Sequence, residues 1–260
     1  MKSIWLPEQR ACIRFHDFPG DEPAVVLLHG LGAASSADFS SVARLPGLSR
    51  YRLILPDFLG FGFSDRPADF AYSLEAHAET VYQILHHRGI SSIYLFGHSM
   101  GGAVAVALAA AHPKLIRRLV LAEANLDPGI GGASRMIASQ TESEYVTRGH
   151  REFLWGIEQE SRRSPALSGY AGALKLADPI AMHRSAVGLI RGTVPPQRQI
   201  FLSITIPRSF IFGEHSLPDP DVDNLQKSNI SVFIVPRAGH GMMDENPEGF
   251  ERALLEAFGL

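Results

Sequence analysis

The sequence predicts an α/β fold, a mostly parallel central sheet with helices on both faces, and three observations carry that prediction. Short apolar runs rich in branched residues recur along the chain, each bounded by Gly, Pro or Asp, as doubly covered parallel strands require. Helix-like stretches alternate with them. The 260 residues, 45% hydrophobic and 20% charged, are enough for one large domain with an insertion and too few for two full domains. That composition also excludes a disordered or low-complexity chain.

The expected strands are Ala24 to Leu28, Tyr51 to Leu55, Ile93 to Phe96, Ile116 to Leu121, Arg208 to Phe212 and Ile230 to Val235. Ile4 to Leu6 and Ala11 to Phe15 supply an antiparallel edge. Of the helices, Ser73 to Arg88 opens on a capping signal at Ser73 and is amphipathic, whereas Met100 to Ala111 is alanine-rich and apolar all round, so it must be buried. From Asp127 to about Pro196 no strand pattern occurs. Gly129 to Gly132, Pro165, Pro179 and Pro195-Pro196 punctuate helix-like runs there, which predicts a helical lid at 127–196 inserted into a core of 1–126 and 197–260. A lid of that length shapes a pocket and excludes water.

Charge and cysteine usage bound the partners. With 24 basic against 27 acidic side chains, net -3, there is no positive field for a nucleic-acid backbone. Cys12 is the only cysteine, so no intrachain disulfide and no cysteine-rich metal site are expected. Pro7 and Glu8 interrupt the opening residues where a signal peptide needs an apolar stretch, and the apolar window Ile93 to Ala111 is broken by Gly97, His98, Ser99, Gly101 and Gly102. The expectation is a cytoplasmic protein with no membrane partner. Oligomeric state is not legible.

Chemistry concentrates in Ile93-Tyr94-Leu95-Phe96-Gly97-His98-Ser99-Met100-Gly101-Gly102, an apolar run, then G-x-S-x-G, then a helix. Small residues around Ser99 permit a sharp strand-to-helix turn that thrusts the hydroxyl outward, and the helix N-terminus favours developing negative charge. This stretch resembles the nucleophile elbow of the α/β-hydrolase fold family. Three further motifs, in the right order, extend the resemblance over nearly the whole chain. They are Val25 to Gly32, similar to the strand and HG-type oxyanion loop; Asp57-Phe58-Leu59-Gly60-Phe61-Gly62-Phe63-Ser64, similar to the D-x-x-G-x-G-x-S loop; and Ala238-Gly239-His240-Gly241 with Glu245 to Phe250, similar to the histidine loop and closing helix. The resemblance implies Ser99 as nucleophile, His240 as general base, and the backbone amides of Leu31 and Met100 as oxyanion donors. His29 and His98 are expected to be structural. Neither H-e-x-x-H spacing nor cysteine-bearing ligand spacing occurs among the other histidines, so no metal and no cofactor are expected.

The acid departs from the family pattern. Where relatives carry G-E-x-D after the penultimate strand, this chain has Gly213-Glu214-His215-Ser216, and a serine cannot supply negative charge to an imidazolium. Glu123, at the end of the strand Ile116 to Leu121, is the preferred substitute, in the place where some haloalkane dehalogenases of this fold carry their catalytic glutamate. Asp219 and Asp127 remain open, the latter also as a cap for the lid's first turn.

These residues point to a serine hydrolase acting on an ester or similar acyl bond of a small molecule. Ser99 in place of an aspartate argues against dehalogenation and epoxide opening by the covalent route. Carbon–carbon bond hydrolases, perhydrolases and thioesterases share the serine pattern, and a ligand-binding regulator on a hydrolase scaffold is the alternative from another class. Phe153, Leu154, Trp155, Tyr170 and Leu174 are candidates for an apolar acyl pocket, and Arg135, Arg148, Arg151, Arg162 and Arg163 read first as solvated helix faces.

Overall fold

In the strand Asp21–Leu28, Val26 and Leu28 enter one apolar core while Val25 and Leu27 enter another, so the sheet is covered on both faces. A computed structural model describes all of the chain, Met1–Leu260, and its eight strands are β1 (Lys2–Leu6), β2 (Ala11–Phe18), β3 (Asp21–Leu28), β4 (Tyr51–Asp57), β5 (Ile93–His98), β6 (Ile116–Ala122), β7 (Arg208–Gly213) and β8 (Ser231–Val235). They form one sheet in the order β1-β2-β4-β3-β5-β6-β7-β8. The β1–β2 and β2–β4 pairs are antiparallel and the remaining pairs are parallel. This is the expected class, with an edge longer than its sequence pattern because β2 continues to Phe18 along β4.

One face is covered by the helices Leu74–His87 and Met100–Ala111, the other by Pro247–Phe258 and the turns between β3 and β4. Ser73 caps the first helix, its Oγ accepting from the Ala76 amide at 3.2 Å. Met100–Ala111 is buried along almost its whole length, which explains its uniformly apolar sequence. On the opposite face Phe96 meets Phe39 at 6.1 Å and Phe250 at 5.2 Å, both edge-on, which joins β5 to the closing helix.

Between β6 and β7 the chain is helical: Gly132–Ala138, His150–Ser161, Ser168–Leu174, Pro179–Arg191 and Gln197–Ser203 are its main elements. Gly132–Ala138 packs against Pro179–Arg191, and Gln197–Ser203 lies on Met100–Ala111. Arg198 ties the two ends of this segment to the sheet side, its guanidinium bonding Asp127 at 2.8 Å and Asp221 at 2.6 Å. No helix is long and apolar enough to cross a membrane.

Candidate active site

The carboxyl ends of β5 and β6 and the loop after β8 meet at one end of the sheet, where open α/β sheets place their ligands. Ser99 follows β5 directly, with φ 53° and ψ -120°, and Met100 begins the next helix. A non-glycine residue with positive φ costs of order 1–3 kcal/mol and persists only where its surroundings enforce it. Enforcement is visible on both sides. A Cβ on Gly97 would collide with the Gly101 backbone, and one on Gly101 would collide with the Leu28 and His29 carbonyls. The Ser99 amide also bonds the Ala122 carbonyl at 3.0 Å.

Glu123 leaves β6 on a second strained turn, with φ 40°. Its Oε2 accepts from His240 Nδ1 at 2.7 Å and its Oε1 from the Gly213 amide at 3.0 Å. Burial acts to raise this carboxyl, but the His240 and Ser216 hydrogen bonds, the Gly213 amide and the His240 charge outweigh it and bring it down to about 2. Ser216 contributes from a looser geometry than the other two donors. From the loop after β7, Ser216 faces this carboxyl.

The competing carboxylates are held elsewhere. Asp219 caps the helix Pro220–Lys227, accepting from the Asp221 amide at 2.8 Å. Asp127 is gripped by the Arg198 fork. Ser99 Oγ bonds Asn125 Oδ1 at 3.4 Å in this resting arrangement, and no hydrogen bond joins it to His240. Catalytic contacts of this kind commonly tighten only when substrate arrives. The His240 side chain is 57% exposed and Glu123 only 12%, so the imidazole faces solvent while its carboxylate partner is shielded.

Leu31 lies in the turn after β3. Its amide makes no backbone hydrogen bond, and Met100, as the first residue of its helix, has no partner within that helix. The turn is braced from three directions. His29 Nδ1 donates to the Gly30 carbonyl at 2.8 Å and its Nε2 accepts from the Phe58 amide at 3.1 Å. Tyr170, from the helical segment, donates its hydroxyl to the Leu31 carbonyl at 3.1 Å. Asp57 accepts from the Ser35 amide at 2.8 Å and the Phe63 amide at 2.9 Å, which ties the D-x-x-G-x-G-x-S loop to the same turn.

Asn125 and Asp38 escaped the sequence reading, whereas His98 was expected to be structural. Asn125 holds the serine hydroxyl. His98 donates Nε2–H to the His240 carbonyl at 2.9 Å and lies under its ring at 4.5 Å. Burial pushes His98 down to about 3, with the His240 charge acting the same way, so it stays neutral beneath the His240 ring. Asp38, beneath the Leu31 turn, accepts from the Gly30 amide at 3.5 Å, and burial raises it to about 7, with Asp244 and Asp57 adding to the shift. The unfolded chain releases that proton near 3.8, so Asp38 withdraws stability as pH rises from about 4 to about 7 and withdraws no more above that. Asp38→Asn is therefore expected to raise the melting temperature by an amount that grows across this window and is constant at higher pH. A melting series from pH 4 to 9 checks it, and a gain that shrinks as pH rises contradicts it.

Of the acyl-pocket candidates, Tyr170 and Leu174 face the Leu31 turn across Gly32, and Phe153 and Leu154 pack on the core. Trp155 does not: it is 64% exposed, because its helix turns that face outward.

A family model described as alpha/beta hydrolase fold matches residues 23–145. Lipase 1 of Psychrobacter immobilis is 40% identical over 249 residues, covering 90% of this chain and 78% of that protein. The 2-hydroxymuconate semialdehyde hydrolase of Pseudomonas putida is 42% identical over 106 residues, which span 41% of this chain and 37% of that protein. Among solved structures, the enol-lactonase from Burkholderia xenovorans LB400 shares the fold, with a TM-score of 0.81 at 20% identity and 100% of both chains covered.

Proposed function

The chain belongs to the α/β-hydrolase fold family, and within it we propose a serine hydrolase that cleaves an ester or related acyl bond of a small molecule through an acyl-enzyme intermediate. The observation that carries this reading is the pairing, at one end of the sheet, of a serine forced to φ 53° with an imidazole held at 2.7 Å by a depressed carboxylate. The helical segment 127–196 serves as the cap over the site.

In the acylation step Ser99 Oγ rotates from Asn125 towards His240, gives its proton to Nε2 and attacks the acyl carbon. Glu123 keeps Nδ1–H in place and stabilises the cation that forms. The Leu31 and Met100 amides hold the oxyanion, each donor of this type being worth roughly 3–4 kcal/mol in the transition state. His240 then protonates the leaving alcohol. Water, activated by the same imidazole, releases the acid. Nothing in this sequence of steps calls for a metal, a cofactor or a nucleic acid.

Short-chain nitrophenyl esters combined with a fluorophosphonate probe test the proposal. Turnover together with a covalent adduct on Ser99 is expected; tight binding without turnover or labelling would make the chain a ligand-binding regulator instead. A second reading, carbon–carbon bond hydrolysis, has its support in the 42% match to a semialdehyde hydrolase. It predicts faster release from a vinylogous diketone than from any ester in the panel.

His98 gives a finer test of the same chemistry. Removing its donor to the His240 carbonyl with His98→Phe keeps a flat ring under the base but forfeits one hydrogen bond, typically about 0.5–1.5 kcal/mol. The expected result is a fall in kcat of up to about tenfold with KM little changed. An unchanged kcat would show that the ring serves packing alone.

A further inference from the structure

The helical segment between β6 and β7 holds a half-open cavity of about 350 Å³ between Gly132–Ala138 and His150–Ser161. That size lies at the small end of the range of roughly 300–1,000 Å³ typical of small-molecule sites. Its apolar wall is Met136, Ile137, Tyr145, Phe153 and Ile157, and neither Ser99, Asn125, Glu123, His240 nor Leu31 reaches it. One side is the π-helical turn Tyr145–Gly149, a distortion frequent at functional sites, in which a Cβ on Gly149 would strike the Gln140 side chain.

Gly156 and Glu160 line this cavity and also a neighbouring open concavity whose other residues include Trp155, Arg162 and Arg163. The two hollows therefore adjoin at Gly156. A Cβ there would meet nothing within 4 Å, so packing does not demand glycine in this helix; its effect is to keep the ridge between the hollows low. At the far end Trp155 is 64% exposed, and neither Arg162 nor Arg163 has a carboxylate or carbonyl partner for its guanidinium. With Glu160 as the only acid there, two guanidiniums leave that end with one net positive charge. Glu152, on the apolar end's rim, is already paired with Arg148 at 3.2 Å.

We infer that this groove is a second binding site, distinct from the serine site, for a single-chain amphiphilic carboxylate of medium length: the alkyl chain fills the apolar cavity and the head meets Arg162 and Arg163. Guanidinium and carboxylate form bidentate charge-assisted bonds, and an exposed tryptophan suits the boundary between an apolar tail and a wet head. The inference concerns binding only and stands whether or not Ser99 performs the chemistry proposed above.

Decanoate, below its micelle concentration, is the probe, and Trp155 is the reporter. Binding is followed in a Trp5→Phe, Ser99→Ala background, so that one tryptophan emits and no turnover intervenes. A saturable change in emission is expected, at least tenfold weaker for hexanoate and for decyltrimethylammonium. Arg162→Glu/Arg163→Glu should weaken decanoate at least tenfold, and so should Gly156→Leu, which raises the ridge; circular dichroism verifies that both variants fold. Equal affinity in the charge-reversed variant, equal binding of the cationic amphiphile, or an emission change that never saturates would each overturn the site. Failure of all ester turnover would overturn the serine hydrolase reading and leave this one standing.

Discussion

Ser99→Ala is expected to lower kcat by on the order of 10⁶-fold, the scale on which loss of a catalytic serine collapses a triad enzyme. The Leu31 and Met100 amides proposed as oxyanion donors survive the change, so residual catalysis over water of about 10³–10⁴ is expected to remain. Stability gives an independent readout. Alanine at φ 53° is no less strained than serine, so Ser99→Ala leaves the melting temperature near its original value, whereas Ser99→Gly relieves the positive φ and should be the more stable of the two. Active enzyme is counted by fluorophosphonate titration before rates are compared. A Ser99→Ala protein that keeps most of its turnover would place the nucleophile elsewhere and remove the basis of the proposed mechanism.

Why this corner is legible in the sequence, and the residues around it less so, has a physical answer. Gly97 is demanded by a clash four residues on and Gly101 by the neighbouring strand β3, but both flank Ser99 at fixed spacing, so the requirement leaves a local signature. The same is true of the strands, whose branched, fully apolar composition follows from burial on both faces. His98 is different. Its partner is a carbonyl 142 residues away, and nothing beside it in sequence marks that contact. Asp38 sits in a run of alanines and serines with no motif to mark it, yet it is buried beneath the Leu31 turn. Trp155 shows the converse, an apolar side chain expected at a pocket and found facing solvent. Local sterics write themselves into sequence; long-range hydrogen bonds do so only when a motif has already been assigned.

The acid tests that distinction most sharply. Glu123→Gln is expected to lower kcat by about 10⁴-fold, because an amide holds the wrong imidazole tautomer and supplies no charge to the imidazolium. Glutamine keeps the acceptor for the Gly213 amide, so the turn itself survives. The stability cost has a defined pH dependence. The Glu123 carboxyl titrates near 4.5 in the unfolded chain and about 2 in the fold, so its contribution is present above about pH 4.5 and is lost as pH falls towards 2. The difference in stability between wild type and Glu123→Gln should accordingly narrow over that interval. Asp219→Asn preserves a competent helix cap and Asp127→Asn loosens only the Arg198 clamp, so both should retain near-normal kcat. If either of them, rather than Glu123→Gln, abolished turnover, the acid would be misassigned. The most informative variant is the double change Glu123→Gln/Ser216→Asp. Ser216 already faces the Glu123 carboxyl, so an aspartate there returns a negative charge to the same neighbourhood. Partial recovery of kcat over Glu123→Gln alone is expected; no recovery would mean that the shifted acid has reshaped the histidine loop so that only the β6 position can serve it.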